Sequence, residues 1–176
     1  MYTRLVQLFH PTHKRRIAWV KDSSLVLLRG ATSVYDLALE TIHAGKKIKD
    51  VIADSLTSDM LDYAKIYKGE DEWKLLPSFD NPHTVFGCMV SGTGLTHKNS
   101  ALNRQMMHQT GEEKPTDSIQ MYQWGLAGGF PDDGKIGVQP EWFYKGHGSV
   151  LKAHGQFLEV PPYANDGGEE PELAGA

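Results

Sequence analysis

The stretch LVQLFHPTHKRRIAWVKDSSLVLL, residues 5–28, decides the fold of the N-terminal part of the chain. It contains three short segments rich in valine, isoleucine, leucine and aromatic residues, which favour β-strands. These segments are residues 5–9, 16–21 and 25–28. Turn-forming residues separate them, Pro11-Thr12-His13 in the first gap and Asp22-Ser23-Ser24 in the second. We therefore expect three consecutive strands at the start of the chain.

Helical patterns follow the strands. Ser33, with Asp36 three residues later, predicts a helix start with a capping box, and apolar residues then recur at helical spacing. A second short helix is expected over residues 48–56. A third is expected to begin after Ser58 as its N-cap and to end at Gly69. Apolar stripes of this kind are typical of residues packed in a core, so they indicate a small α/β domain and no cofactor site.

A change of pattern at residues 77–82, PSFDNP, predicts a domain boundary, because two prolines and several turn residues interrupt the periodicity. We expect an N-terminal α/β domain over residues 1–80 and a second domain over residues 83–176. In the second domain, residues 83–90, HTVFGCMV, are a candidate buried strand. The aromatic motif, residues 140–146, PEWFYKG, is another candidate strand. The fold class that we expect is α+β.

The composition argues against several classes of function. The chain has 176 residues, 40% of them hydrophobic, and a net charge of −4 with scattered lysines and arginines, which argues against a nucleic-acid partner. No apolar segment reaches the roughly 18 to 20 residues of a membrane helix. The N-terminus lacks the apolar region of a signal peptide, so we expect no membrane contact and a cytoplasmic location. The single cysteine, Cys88, excludes an internal disulfide and a multi-cysteine metal site.

The glycine motif, residues 91–97, SGTGLTH, is a candidate anion-binding loop. A candidate strand precedes it and a candidate helix follows it, and the N-terminus of a helix offers free N–H groups to a phosphate or carboxylate. A dinucleotide-binding fingerprint would need a third glycine at the position of His97, so a Rossmann fold is disfavoured. Two interpretations stay open: Gly92 and Gly94 permit a tight turn, or they form part of a ligand-binding loop.

Three glutamates lie close together in GGEEPE, residues 167–172. On an extended segment Glu170 and Glu172 lie on one face and Glu169 on the other. Two carboxylates on one face are typical protein ligands of Mg²⁺ or Mn²⁺, although an acidic, solvated turn has the same pattern. Lys145, which follows three aromatic residues, leaves a similar choice between an anion-binding group at a pocket and a surface lysine.

These motifs resemble the fumarylacetoacetate hydrolase family. The strings QPEWFYKG and GGEEPE are similar in order and spacing to the opening of that family's catalytic domain, and TSVYDLA and GTGLTH extend the likeness over most of the chain. Within the family the likeness is to the GguC-like, sugar-acid branch associated with arabinose catabolism. The resemblance implies a small N-terminal α/β cap followed by a β-rich catalytic domain. It also implies an enzyme that stabilises the enolate of a 2-oxo or 2,4-dioxo acid on Mg²⁺ or Mn²⁺, and then hydrolyses, decarboxylates or dehydrates the substrate.

Position by position, the resemblance implies that Glu170 and Glu172 are metal ligands and that Lys145 lies near the substrate pocket. In the family a third metal carboxylate and a catalytic lysine lie further downstream. We therefore expect this chain to be the N-terminal half of an enzyme of roughly twice its length, with an incomplete catalytic domain and little activity alone. We expect the full-length enzyme to be a homodimer with a small 2-oxo acid as its substrate.

The chain also departs from the family in the glycine motif and the residues after it. At the positions of the family's water-activating histidine and glutamate it has Ser100 and Asn103, which makes dehydration or another lyase reaction more plausible than hydrolysis. His97 stands where a tyrosine is usual and is our candidate general base, with a structural or surface histidine as the alternative. Two other classes of function stay open: an inert fragment that binds a partner, and a small anion-binding module that uses residues 92–97.

Overall fold

The computed structural model describes residues 3–95, 98–107, 115–165, 167 and 174–176. These residues form a mixed structure of helices and antiparallel sheet, which confirms the α+β fold class. The chain divides into two compact units. The first comprises Met1–Cys88 and His147–Ala176, and the second comprises Met89–Gly146. The expected assignment of residues 1–80 to a cap and of residues 83–176 to a catalytic domain stays a prediction.

The first unit is built on a five-stranded sheet. Its strands are β1 (Leu5–His10), β2 (Lys14–Lys21), β3 (Ser24–Leu28), β4 (Leu56–Asp62) and β5 (Lys74–Leu75), in the order β4-β3-β2-β1-β5. The first three confirm the strands predicted within residues 5–28. Lys14, with a φ of 59°, and Asp22, with a φ of 55°, adopt the left-handed conformation at the two hairpin turns between them.

Three helices accompany this sheet: α1 (Val34–His43), α2 (Ile48–Ser55) and α3 (Tyr63–Lys68). Ser33 is the N-cap of α1, as predicted, and its hydroxyl accepts a hydrogen bond from the backbone N–H of Asp36 at 3.0 Å. The predicted start of the third helix at Ser58 is wrong, because that residue lies in β4. The helix begins after Asp62, whose carboxylate accepts from the N–H of Lys65 at 3.1 Å. Pairing with β3 therefore outweighs the helical spacing of these residues.

The five-stranded sheet buries apolar side chains on both faces. One core cluster contains Leu8, Ala18, Val20, Leu25, Leu27, Ile66 and Trp73. The other contains Ile17, Leu28, Leu37 and Ile52. Neighbouring residues of β2 enter opposite clusters because successive side chains of a strand point to opposite faces. Helix α3 therefore covers one face, and α1 and α2 cover the other.

A buried glutamine ties the predicted connector at residues 77–82 to the sheet. Gln7 is fully buried; its Nε2 donates to the carbonyl of Pro77 at 2.6 Å and to Oδ1 of Asp80 at 2.8 Å. Its Oε1 accepts from the N–H of Val34 at 2.7 Å. Arg15 forms an ion pair with the same Asp80 carboxylate. These contacts join β1, β2 and the start of α1 to the segment that follows β5.

The second unit contains β6 (Met89–Thr93), α4 (Lys98–Met107), α5 (Asp117–Gly128) and β7 (Trp142–His147), and β6 pairs with β7 in a two-stranded sheet. Strand β7 confirms the strand predicted in the aromatic motif. Of the buried strand predicted at residues 83–90, only Met89 and Val90 lie in a strand, because Val85–Gly87 is a 3₁₀ helix. The predicted burial is wrong, because Met89 is exposed and Val90 is half-buried. Thr116 is the N-cap of α5, and its hydroxyl accepts a hydrogen bond from the backbone N–H of Ile119 at 3.4 Å. None of the described helices has the length and apolar character needed to cross a membrane.

Candidate functional site

The two-stranded sheet, here called the β6–β7 ribbon, brings the glycine motif and the aromatic motif together. The N–H of Gly94 donates to the carbonyl of Glu141 at 3.2 Å. Gly92 faces Phe143 and Lys145: a Cβ on Gly92 would lie 2.6 Å from Phe143 Cζ and 2.7 Å from Lys145 Cε. Gly92 therefore lies opposite Phe143, and the later residue Gly94 lies opposite the earlier residue Glu141. This order shows that the two strands run antiparallel.

The absence of side chains at Gly92 and Gly94 makes room for side chains of β7 and of Glu141, the residue just before it. Gly92 lies inside β6, and neither glycine has a left-handed φ, so the tight-turn interpretation does not hold for Gly92. A Cβ on Gly94 would overlap Oε2 of Glu141. Because alternate residues of a strand share a face, Glu141, Phe143 and Lys145 lie side by side across the two glycines. The ligand-binding interpretation of the glycine motif stays a prediction.

Lys145 is the one predicted site residue that the structure describes. It is exposed on β7, and its Nζ lies 5.6 Å from the centroid of the Phe143 ring, within the range of a cation–π interaction. The Lys145 side chain therefore lies beside the Phe143 ring and over Gly92, on one face of the ribbon. The other three, His97, Glu170 and Glu172, lie outside the described residues.

A cavity of about 400 Å³ opens next to the glycine motif in the second unit. That volume is in the range of small-molecule sites. Its walls are largely apolar and come from α5, from the end of the glycine motif and from the segment before β7; among the apolar lining residues are Leu95, Met121, Leu126, Phe130, Val138 and Pro140. Its polar lining residues are Thr93, Ser118, Tyr122, Gln139 and Glu141. Among them, Ser118 and Glu141 make a hydrogen bond to each other. Lys145 is not among the described residues that line the cavity.

The hydrogen bond between Ser118 and Glu141 fixes a carboxylate at the cavity wall. Ser118 Oγ donates to Oε1 of Glu141 at 3.0 Å, and both residues are half-buried. Ser118 lies in the first turn of α5, where the positive end of the helix dipole stabilises a negative charge. Neither residue was predicted from the sequence. The alternation in the aromatic motif was a signal that could have found Glu141, because Glu141 lies four residues before Lys145 and alternate residues of an extended segment share a face.

The other predicted features have no structural test among the described residues. In the described part of the chain no group of three or more histidine, cysteine, aspartate and glutamate residues could hold a metal ion, and the proposed ligands Glu170 and Glu172 lie outside that part. Comparison of the chain with protein-family models, with curated proteins and with solved structures finds no match. The resemblance to the fumarylacetoacetate hydrolase family and its metal site therefore stay predictions.

Proposed function

We propose that the protein is a metal-dependent lyase or hydrolase of the fumarylacetoacetate hydrolase type, acting on a 2-oxo or 2,4-dioxo acid in sugar-acid catabolism. The observation that carries this proposal is the pairing of the glycine motif with the aromatic motif in the β6–β7 ribbon. Both motifs belong to the resemblance, and a cavity of small-molecule size opens beside them. Dehydration is the favoured reaction because Ser100 and Asn103 replace the family's water-activating pair.

Each candidate residue has a separate task in this proposal. The ammonium group of Lys145, held over the Phe143 ring, binds the carboxylate of the substrate. In a dehydration, His97 takes a proton from carbon 3, next to the oxo group, and the electron pair forms the enolate. The enolate then expels the hydroxyl group of carbon 4, which leaves as water with the proton that His97 returns. Glu170 and Glu172 would hold Mg²⁺ or Mn²⁺, and the ion would supply Lewis-acid stabilisation of the negative charge that develops on the 2-oxo acid.

Binding of Mg²⁺ to the chain tests the proposal. Isothermal titration calorimetry in the presence of 2-oxopentanoate should detect weak Mg²⁺ binding, because a site with two carboxylate ligands leaves most of the six coordination positions to water. Glu172→Gln keeps the shape of the side chain but removes one ligand charge, so we expect Mg²⁺ affinity to fall by about tenfold or more. Glu169→Gln is the matched control. If the segment is extended, as expected from the sequence, Glu169 points to the face opposite the two proposed ligands, so this variant should leave the affinity nearly unchanged.

Other results of the same titration would contradict the proposal. Mg²⁺ binding of equal strength in the wild-type chain and in Glu172→Gln would show that the proposed metal site at Glu172 is wrong. Absence of both Mg²⁺ and 2-oxo acid binding would favour an inert fragment that binds a partner. Phosphate binding without Mg²⁺, lost in Lys145→Met, would favour the anion-binding module instead.

A further inference from the structure

Glu141 is a carboxylate at the wall of a mainly apolar cavity, and its two oxygens have different surroundings. Oε1 accepts a hydrogen bond from Ser118 at 3.0 Å. Oε2 lies over the α-carbon of Gly94, where a side chain would collide with it. The bare glycine therefore makes room for this oxygen, while Ser118 limits rotation of the carboxylate, and both Gly94 and Glu141 line the cavity.

The charge of Glu141 restricts which end of a ligand can approach it. An ionised carboxylate accepts hydrogen bonds and donates none, so it attracts hydroxyl groups. It repels a second carboxylate, and apolar walls strengthen that repulsion because they lower the local dielectric constant. The carboxylate end of a 2-oxo acid is therefore unfavourable at Glu141, whereas a hydroxyl group at the far end of the molecule is favourable.

We propose that Glu141 orients the substrate in this cavity by accepting a hydrogen bond from a hydroxyl group remote from the substrate's carboxylate, with Ser118 as its positioning residue. The inference rests on the proposed function and adds to it a residue that determines specificity. In this inference Glu141 makes the protein prefer substrates whose carbon chain carries a hydroxyl group. The apolar part of the substrate lies against side chains such as Met121 and Phe130.

Two acids that differ only in a terminal hydroxyl group, 2-oxopentanoate and 5-hydroxy-2-oxopentanoate, test this inference. Their affinities for the wild-type chain are measured by calorimetry with Mg²⁺ present. We expect the hydroxylated acid to bind about tenfold more tightly, since a hydrogen bond to a charged group has this effect. In Glu141→Leu the two affinities should become equal, while binding of 2-oxopentanoate should change by less than about threefold.

Further variants separate orientation of the substrate from a merely structural role. Ser118→Ala should reduce the preference to about threefold, because the carboxylate keeps its charge but loses its fixed orientation. Asp133→Asn, in an exposed turn of the same unit, is the control and should keep the full preference. If circular dichroism shows that Glu141→Leu is unfolded, Glu141→Gln takes its place, because the amide keeps the shape and lowers the preference by removing the charge.

The outcomes distinguish this inference from the proposed function. Equal binding of the two acids by the wild-type chain would overturn the inference and leave the proposed function standing. If Glu141→Leu still prefers the hydroxylated acid, the inference is likewise overturned and the proposed function stands. The same holds for Glu141→Gln if the leucine variant is unfolded. Binding of neither acid would overturn both.

Discussion

At the scale of single residues, Gly92 allows side chains of β7 to pack closely against β6 in the β6–β7 ribbon. It is buried, and the side chains of Phe143 and Lys145 occupy the space where its own side chain would be. Gly94 does the same for Glu141. A strand glycine is costly in conformational entropy, so a pair of them on one face is explained by the close approach of other groups.

Replacement of Gly92 by alanine should destabilise the second unit. The new methyl group would lie 2.6 Å from Phe143 Cζ and 2.7 Å from Lys145 Cε, so both side chains must move. Because both side chains are exposed and can move aside, we expect a cost at the low end of overpacking, about 1 kcal/mol, measured by urea unfolding followed by circular dichroism.

Gly125→Ala is the control for Gly92→Ala. Gly125 lies in α5, and an added Cβ would meet nothing within 4 Å. Because alanine is a better helix former than glycine, this variant should be neutral or more stable by up to about 1 kcal/mol. A Gly92→Ala variant as stable as Gly125→Ala would contradict the packing of the ribbon.

At the scale of elements, the sequence is informative where local signals and tertiary pairing agree. Strands β1 to β3 combine β-forming residues with turn residues, and they were predicted correctly. Strand β4 was predicted as the start of a helix, because Met60 and Tyr63 have helical spacing. Pairing with β3 determines the conformation of β4: Val26 pairs with Met60, and Leu25 pairs with Leu61. A prediction from local propensity does not include that partner strand.

The core of the five-stranded sheet gives the prediction at this scale. Leu8 on β1 is fully buried in one core cluster, so Leu8→Ala should lower the free energy of unfolding by about 2 to 5 kcal/mol. Met60 on β4 is 60% exposed, so Met60→Ala should change the free energy of unfolding by no more than about 0.5 kcal/mol. Equal effects in chemical denaturation would contradict the burial pattern of the sheet.

At the scale of the whole molecule, contacts between residues distant in sequence determine what the motifs do. The sequence indicated Lys145 and its strand, because the aromatic motif is a local signal. It did not indicate the cavity or the hydrogen bond of Ser118 to Glu141, because they depend on α5 and β7 coming together. The return of His147–Ala176 to the first unit likewise has no local signal.

Polar contacts in the first unit connect α1 with the predicted connector and the residue after it. Asp36 in the first turn of α1 accepts from the Ser33 hydroxyl at 2.6 Å and lies 2.8 Å from Nε2 of His83. Burial raises the pKa of Asp36, but the hydrogen bond from Ser33 and the contact with His83, with a further contribution from Arg15, lower it overall. The ionised form of this carboxylate is therefore favoured by folding.

The lowered pKa of Asp36 makes stability depend on pH in a defined direction. Because the folded pKa lies below the unfolded value of about 4, the stabilisation is complete above that value and is lost as the pH falls through the folded pKa. Asp36→Asn should be less stable than the wild-type chain near neutral pH, and the difference should shrink as the pH falls below about 4. Urea unfolding across this pH range measures both curves, with Asp54→Asn on the exposed part of α2 as the control for loss of one negative charge. A difference between wild type and Asp36→Asn that stays constant down to the lowest pH would show that the carboxylate charge does not couple α1 to His83.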